Sequence, residues 1–204
     1  MISRISEGVW KFTGTDNVNA YLICAGDKGC GHEGGSKGAV VIDAGNRADR
    51  QEMKNLLGKA ADPDDVKAVI FTHLHYDHIG NFDLFPNAEF YASETELEDF
   101  RDSPASTTLS EEMAEKLRRP IGGSLKPLPR NICGLEVIST PGHTRGSVCI
   151  WHPAKGILFT GDTMFANKRF GRTDLPTSAP EKLNESLITL LDYDFRILAP
   201  GHDY

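Results

Sequence analysis

The sequence predicts an α/β protein in which two β-sheets pack face to face with helices on the outside. Three observations carry that expectation. Short runs rich in β-branched residues recur in both halves, helical patterns with recognisable caps fall between them, and no linker or low-complexity stretch divides the 204 residues. One domain spanning residues 1–204 is therefore expected, with a core of ordinary size for that length.

Taken in order, residues 9–12, 19–24 and 39–43 are short strand-like runs separated by glycine-rich turns. Residues 48–57 carry a helical pattern that is expected to end at Gly58. Residues 66–71 follow a Pro63-Asp64-Asp65 turn and read as a buried strand, and 89–91 as another. Ser93-Glu94-Thr95-Glu96 is a capping box that opens a helix to about Phe100, and Ser110 caps a second helix over 111–118. Residues 127–130 read as a turn between the halves. Strands are expected again at 135–139, 147–151, 156–160 and 196–199. Pro180 suits the first turn of a helix running to about Leu191.

Composition weighs against several classes of partner. A net charge of −7, with basic residues scattered rather than striped, argues against a general affinity for nucleic acid. The segment Met1-Ile2-Ser3-Arg4-Ile5-Ser6-Glu7 lacks the apolar centre of a signal peptide, and no apolar stretch approaches ~18 residues. The expectation is a cytoplasmic protein with no membrane partner. Cys24, Cys30, Cys133 and Cys149 do not form a disulfide framework in a chain of this size, and Cys24, Cys133 and Cys149 are expected as small core residues. Cys30-Gly31-His32, in a glycine-rich hairpin, reads as an exposed turn, and His152 as a surface residue at a strand end.

The most informative run is His73-Leu74-His75-Tyr76-Asp77-His78, at the exit of the 66–71 strand. Neutral imidazole and carboxylate are the ligands that Zn²⁺ and late first-row metals take when no thiolate is used. Residues i and i+2 of extended chain share a side, so His73 and His75 can reach one ion while Leu74 faces the core. Asp77 and His78 follow as the chain turns, and can address a second position beside the first. Three more candidates sit in turns after strands: His143 in Thr140-Pro141-Gly142-His143-Thr144, Asp162 in Thr160-Gly161-Asp162-Thr163, and His202 in Pro200-Gly201-His202. Loops at strand ends converge in space, and a small residue ahead of each candidate lets the backbone approach an ion closely.

This set, with Val41-Ile42-Asp43-Ala44-Gly45 upstream, resembles the metallo-β-lactamase-fold superfamily in motif order from about Asn19 onward. The resemblance implies a four-layer αββα sandwich of two mixed sheets with the site at one edge. It implies that His73, His75 and His143 hold one metal, that Asp77, His78 and His202 hold another, and that Asp162 bridges them. Asp43 would order the ligand loops from behind. Two Zn²⁺ suit these ligands, and Fe or Mn accept the same set. The implied enzyme is a hydrolase in which two metals ~3.5–4 Å apart share a hydroxide nucleophile and polarise a carbonyl. Asp77 is the candidate catalytic residue that orients the nucleophile and handles protons.

Local features bear on substrate. Gly171-Arg172-Thr173-Asp174 resembles single-domain glyoxalase II-like thioesterases and the persulfide dioxygenases, and His202-Asp203-Tyr204 is similar to endings in both groups. Arg172 and Tyr204, with Lys168 and Arg169 nearby, are the candidates for binding a small anionic thioester or ester. In full-length glyoxalase II the chain runs on past this tyrosine into a helical domain that completes the glutathione pocket. Here the sequence ends at Tyr204, so a smaller or different thiol carrier and an open site, flanked by the short turn at 14–17, are expected. The alternative reaction class is a mononuclear Fe(II) persulfide dioxygenase, with His73 or His75, His143 and Asp162 as a facial triad around one Fe²⁺. His78-Ile79-Gly80-Asn81 with Leu84-Phe85-Pro86-Asn87-Ala88 also resembles lactonase-type members. A two-metal phosphodiesterase or ribonuclease and a weak β-lactamase side activity complete the alternatives.

Overall fold

The chain, seen in a computed structural model that describes residues 1–24, 38–119 and 125–204, alternates strands and helices throughout. In order these are β1 (Ile2–Ser6), β2 (Val9–Thr13), β3 (Asn19–Cys24), β4 (Ala39–Ile42), α1 (Arg50–Ala60), β5 (Val66–Ile70), α2 (Tyr76–Ile79), β6 (Glu89–Ala92), α3 (Glu94–Asp102), α4 (Pro104–Thr108) and α5 (Glu111–Arg118). They are followed by β7 (Leu125–Pro127), β8 (Asn131–Ile132), β9 (Leu135–Ser139), β10 (Val148–His152), β11 (Ile157–Gly161), α6 (Leu183–Thr189) and β12 (Ile197–Pro200). Cys30-Gly31-His32 lies outside the described residues. No helix among the described residues is long and apolar enough to cross a membrane.

β1 to β7 form a seven-stranded sheet in sequence order, antiparallel as far as β4 and parallel from β4 to β7. The second sheet runs β12-β11-β10-β9-β8, with only the β11–β12 pair parallel. Strand periodicity explains the layering. Val40 and Ile42 of β4 face Ile150 and Phe159 of the second sheet, while Val41 faces the other way, among Met53 and Leu57 of α1 and Met113 and Leu117 of α5. On the far side of the second sheet, Cys149 and Leu158 pack with Leu190 beyond α6. The result is the expected helix–sheet–sheet–helix sandwich of two mixed sheets. The large buried side chains, Phe71, Phe85, Phe90 and Phe159 among them, each contribute about 1.5–3 kcal/mol of hydrophobic stabilisation.

The architecture gathers five strand ends at one edge. β4 and β5 are parallel, as are β11 and β12, and β9 shares the direction of β11 because both are antiparallel to β10. Backbone hydrogen bonds join the sheets there: Val148 N–H donates to Thr72 O at 3.0 Å, and Asn19 N–H to Gly201 O at 2.7 Å.

Several local expectations are corrected. α1 runs through Gly58 to Ala60, and stops only where Ala61 turns extended ahead of Pro63. Burial of Leu57 holds the turn that glycine's backbone freedom weakens. The 127–130 turn is flanked by two short edge strands, β7 and β8, and β1 forms where the sequence alternates only weakly. Cys133 is not a core residue: it is exposed in the β8–β9 turn with φ +53°. Cys24 is half-buried against the first core, and Cys149 is fully buried. His152 does end a strand, but it is half-buried rather than on the open surface.

Candidate metal centre

Four of the five histidines at the convergent edge, His73, His78, His143 and His202, are held by their outer nitrogen, which leaves the other free for the centre, whereas His75 Nε2 is buried without a partner. A carbonyl can only accept, so His143 Nδ1–H donates to Arg172 O at 2.6 Å and His202 Nδ1–H to Asp16 O at 3.1 Å. His78 Nδ1–H donates to Asp43 Oδ2 at 2.9 Å. The Thr72 hydroxyl spends its one proton on Asp43 Oδ2 at 2.8 Å, and so accepts from His73 Nδ1–H at 3.1 Å. Asp43 Oδ1 takes the Thr72 backbone N–H at 2.8 Å. One carboxylate therefore orders both ends of the His73–His78 segment, from a backbone held at φ +56°, which an aspartate adopts at a cost.

The freed atoms meet. His73, His75 and His143 bring ring nitrogens within 4.8 Å of one another, as do Asp77, His78 and His202 with their ring nitrogens and a carboxylate oxygen. His75 differs from the others in presenting Nδ1, 3.0 Å from His143 Nε2. Asp162 lies between the groups: Oδ1 is 3.3 Å from His78 Nε2, and Oδ2 is 3.4 Å from both His143 Nε2 and His202 Nε2. Asp77 Oδ2 is 3.5 Å from His202 Nε2. Glycine makes the crowding possible, since a Cβ on Gly201 would collide with Asp162 Oδ1.

Electrostatics separates the cluster into neutral and charged members. Burial, then the neighbouring rings, push the His73 and His75 imidazoles down, His75 to about 2, and burial also lowers His143. At His78 burial opposes the charge, but Asp162, Asp77 and Asp43 outweigh it and hold the ring well above its ordinary range. Burial likewise opposes ionisation of Asp162, yet His78 and His143 hold its carboxyl well below the usual range. His202 is raised because its bond to Asp162 overcomes its burial.

The donor set fits divalent cations. His73 Nε2, His78 Nε2 and Asp162 Oδ1 are buried without hydrogen-bond partners, although unpaired buried polar atoms are costly. His75 Nδ1 and His143 Nε2 aim lone pairs at one point, where only one can hold a proton. A cation would use all of these atoms at once, and imidazole with carboxylate is the donor chemistry of Zn²⁺, Fe or Mn.

The cluster floors an open cleft of about 680 Å³. Lys168, Arg169, Arg172 and Tyr204 all line it, on its exposed lip. The Arg172 guanidinium is paired with Asp174 at 2.9 Å, and both side chains are 71% exposed. Tyr204 stacks on His202 at 5.1 Å and meets Phe165 edge-on at 5.2 Å. Sequence reasoning did not single out Tyr76, Leu109, Phe165, Phe170 and Leu175, the apolar part of the lining. Phe170, 53% exposed beside Lys168 and Arg169, was the one detectable in sequence, as an aromatic set in a cationic run. Also missed were Thr72, legible only as the hydroxyl before the first histidine, and Glu96, hidden inside a capping motif.

The family model described as the metallo-beta-lactamase superfamily matches residues 13–202. A probable metallo-hydrolase of Streptococcus pyogenes serotype M6 is 32% identical over 80% of this chain and 73% of its own length. A probable hydroxyacylglutathione hydrolase of Schizosaccharomyces pombe is 28% identical over 96% of this chain and 68% of its own. The crystal structure of the BLEG-1 B3 metallo-beta-lactamase superposes with a TM-score of 0.71, at 25% identity over 96% of this chain and 92% of that one. With fold, motif order and match in agreement, the chain belongs to the metallo-beta-lactamase superfamily.

Proposed function

We propose that this protein is a hydrolase that holds two divalent cations, Zn²⁺ foremost, and cleaves a small anionic thioester or ester. The observation that supports this most is the convergence of seven ligand-type side chains beneath an open cleft with a cationic lip. His73, His75 and His143 would hold one ion, Asp77, His78 and His202 the other, and Asp162 would lie between them. Cations there would lower the pKa of bound water from ~15.7 to about 7 and polarise a substrate carbonyl. Asp77 stands half-buried at the cleft floor, where its carboxylate can take a proton from water and return it to a leaving thiol or alcohol. Lys168, Arg169 and Arg172 would attract the anionic part of the substrate, and Tyr204 with Phe165 would shield the His202 side from solvent. The S. pombe relative's name agrees with a thioester.

A second reading has its own support. His143 Nε2 lies within 4.8 Å of the His73 and His75 ring nitrogens and 3.4 Å from Asp162 Oδ2, so His73 or His75 with His143 and Asp162 supply two histidines and one carboxylate, the donor set of a mononuclear Fe(II) oxygenase. One experiment separates the two: quantify metal in protein purified without added metal, then assay thioesters, lactones, persulfides and RNA. About two ions per chain with thioester or ester turnover, lost on chelation and restored by Zn²⁺, is the expected result. One iron with oxygen consumed on a persulfide, and no thioester turnover, would replace the hydrolase reading.

A further inference from the structure

Glu96 is a fully buried carboxylate with no part in the chemistry above. It belongs to the capping motif at the start of α3, and Ser93 Oγ does accept the Glu96 backbone N–H at 3.2 Å. The Glu96 side chain, however, turns into the molecule. Its Oε2 accepts the Leu74 backbone N–H at 2.9 Å, and its Oε1 the Thr144 hydroxyl at 2.5 Å. Leu74 stands between His73 and His75, and Thr144 directly follows His143. β5 ends at Ile70, so the Leu74 N–H has left the sheet ladder and needs another acceptor. The fit is close along the whole helix face. Ser93 Oγ donates to Gly146 O at 2.6 Å, and Asp99 pairs with Arg145 at 3.2 Å, so the cap residue Ser93 and, three and six residues on, Glu96 and Asp99 of α3 all grip the segment after His143. A Cβ on Gly146 would lie 2.6 Å from Glu96 N and 2.7 Å from Ser93 Oγ, which makes a glycine necessary for the approach.

We propose that Glu96 is a positioning residue that ties the His73–His75 segment to the His143 turn, and thereby sets where those three rings converge. The inference rests on the assignment of those histidines as metal ligands. Asp43 reaches the His73–His78 segment through Thr72 and His78, whereas Glu96 reaches it through Leu74 and joins it to a different loop. A general brace would affect only melting temperature. A positioning residue changes how the rings receive an ion.

The test is Zn²⁺ affinity, measured by competition with a chromophoric chelator, together with the visible spectrum of the Co²⁺-loaded protein and its melting temperature. Glu96→Asp, too short to span both loops, and Glu96→Ala are expected to bind Zn²⁺ about tenfold to a hundredfold more weakly and to change the Co²⁺ bands. Glu96→Gln keeps an acceptor for the Leu74 N–H and is expected to restore both readouts. Wild-type affinity and spectrum in the Asp and Ala variants, whatever their melting temperature, would overturn the proposal, as would a Gln variant as impaired as Ala. Should Asp and Ala fail to fold, Thr144→Val takes their place, with weaker binding expected and unchanged binding overturning it. Failure of the wild-type protein to take up metal would instead sink the ligand assignment, and this inference with it.

Discussion

The floor and the lip of the cleft are built on opposite terms. On the floor, His73, His75, His78, His143, Asp162 and His202 are all buried; Thr72, Asp43 and two backbone carbonyls hold four of the rings from behind, and Glu96 ties the segments that carry His73, His75 and His143. On the lip, Lys168, Arg169, Phe170 and Arg172 are exposed, and Asn167 and Lys168 hold left-handed backbone conformations at φ +59° and +60°. The floor is over-determined and the lip is not. Reaction class resides where geometry is forced, and substrate preference where side chains are free to differ.

The contrast can be broken most sharply at the centre. Asp162→Ala should lower kcat/KM on any accepted substrate by on the order of 10³-fold and reduce bound metal, read by steady-state kinetics and metal analysis. A catalytically competent Asp162→Ala protein would mean that the floor is not the active centre.

Next in size is a pH effect on stability. Burial pushes the Glu96 carboxyl up from 4.5 to about 7. A folded pKa above the unfolded one means that the native state holds the proton more tightly. The contribution is therefore fully present below pH 4.5 and lost as pH rises toward 7, roughly 3 kcal/mol in all. Glu96→Gln should remove that part of the pH dependence, measured by denaturant unfolding of metal-free protein at pH 5 and pH 8. Identical slopes in the two proteins would refute it.

Asp43→Asn leaves one acceptor oxygen where the Thr72 and His78 donors need two. Metal affinity should fall about tenfold to a hundredfold in a chelator competition, with a smaller change in melting temperature. On the lip the expected effect is smallest. Arg169→Ala should raise KM about fivefold or less, leave kcat unchanged, and lose its effect in high salt. A fall in kcat instead would move Arg169 into the chemistry.

The floor was also the legible part. Histidines at 73, 75, 78, 143 and 202 could be found because each follows an apolar strand, and a polar ring at that position has no packing reason to be there. The same logic located most of the inner strands. It failed where the deciding contact is long-range. Glu96 fits a local capping rule so well that its real partners, Leu74 and Thr144, leave no mark in the sequence. β7 and β8 are too short for periodicity to register, and α1 passes Gly58 because core contacts outweigh local propensity. The bridge between Val18 and His202 joins the two sheets across nearly the whole chain, beyond the reach of any window.

Gly171 ties these two territories together mechanically. A Cβ there would lie 2.5 Å from Asp162 O and 2.7 Å from His143 Nδ1, and the next residue, Arg172, offers its carbonyl to that same imidazole. The loop that forms the lip of the cleft is thus also the strut that aims a ring at the cluster. Its outward side chains at 168, 169, 170 and 172 are exposed, but its main chain at this joint cannot shift without moving the acceptor of the His143 Nδ1–H. New specificities in such a scaffold should arise by swapping what the loop displays, seldom by changing its length here.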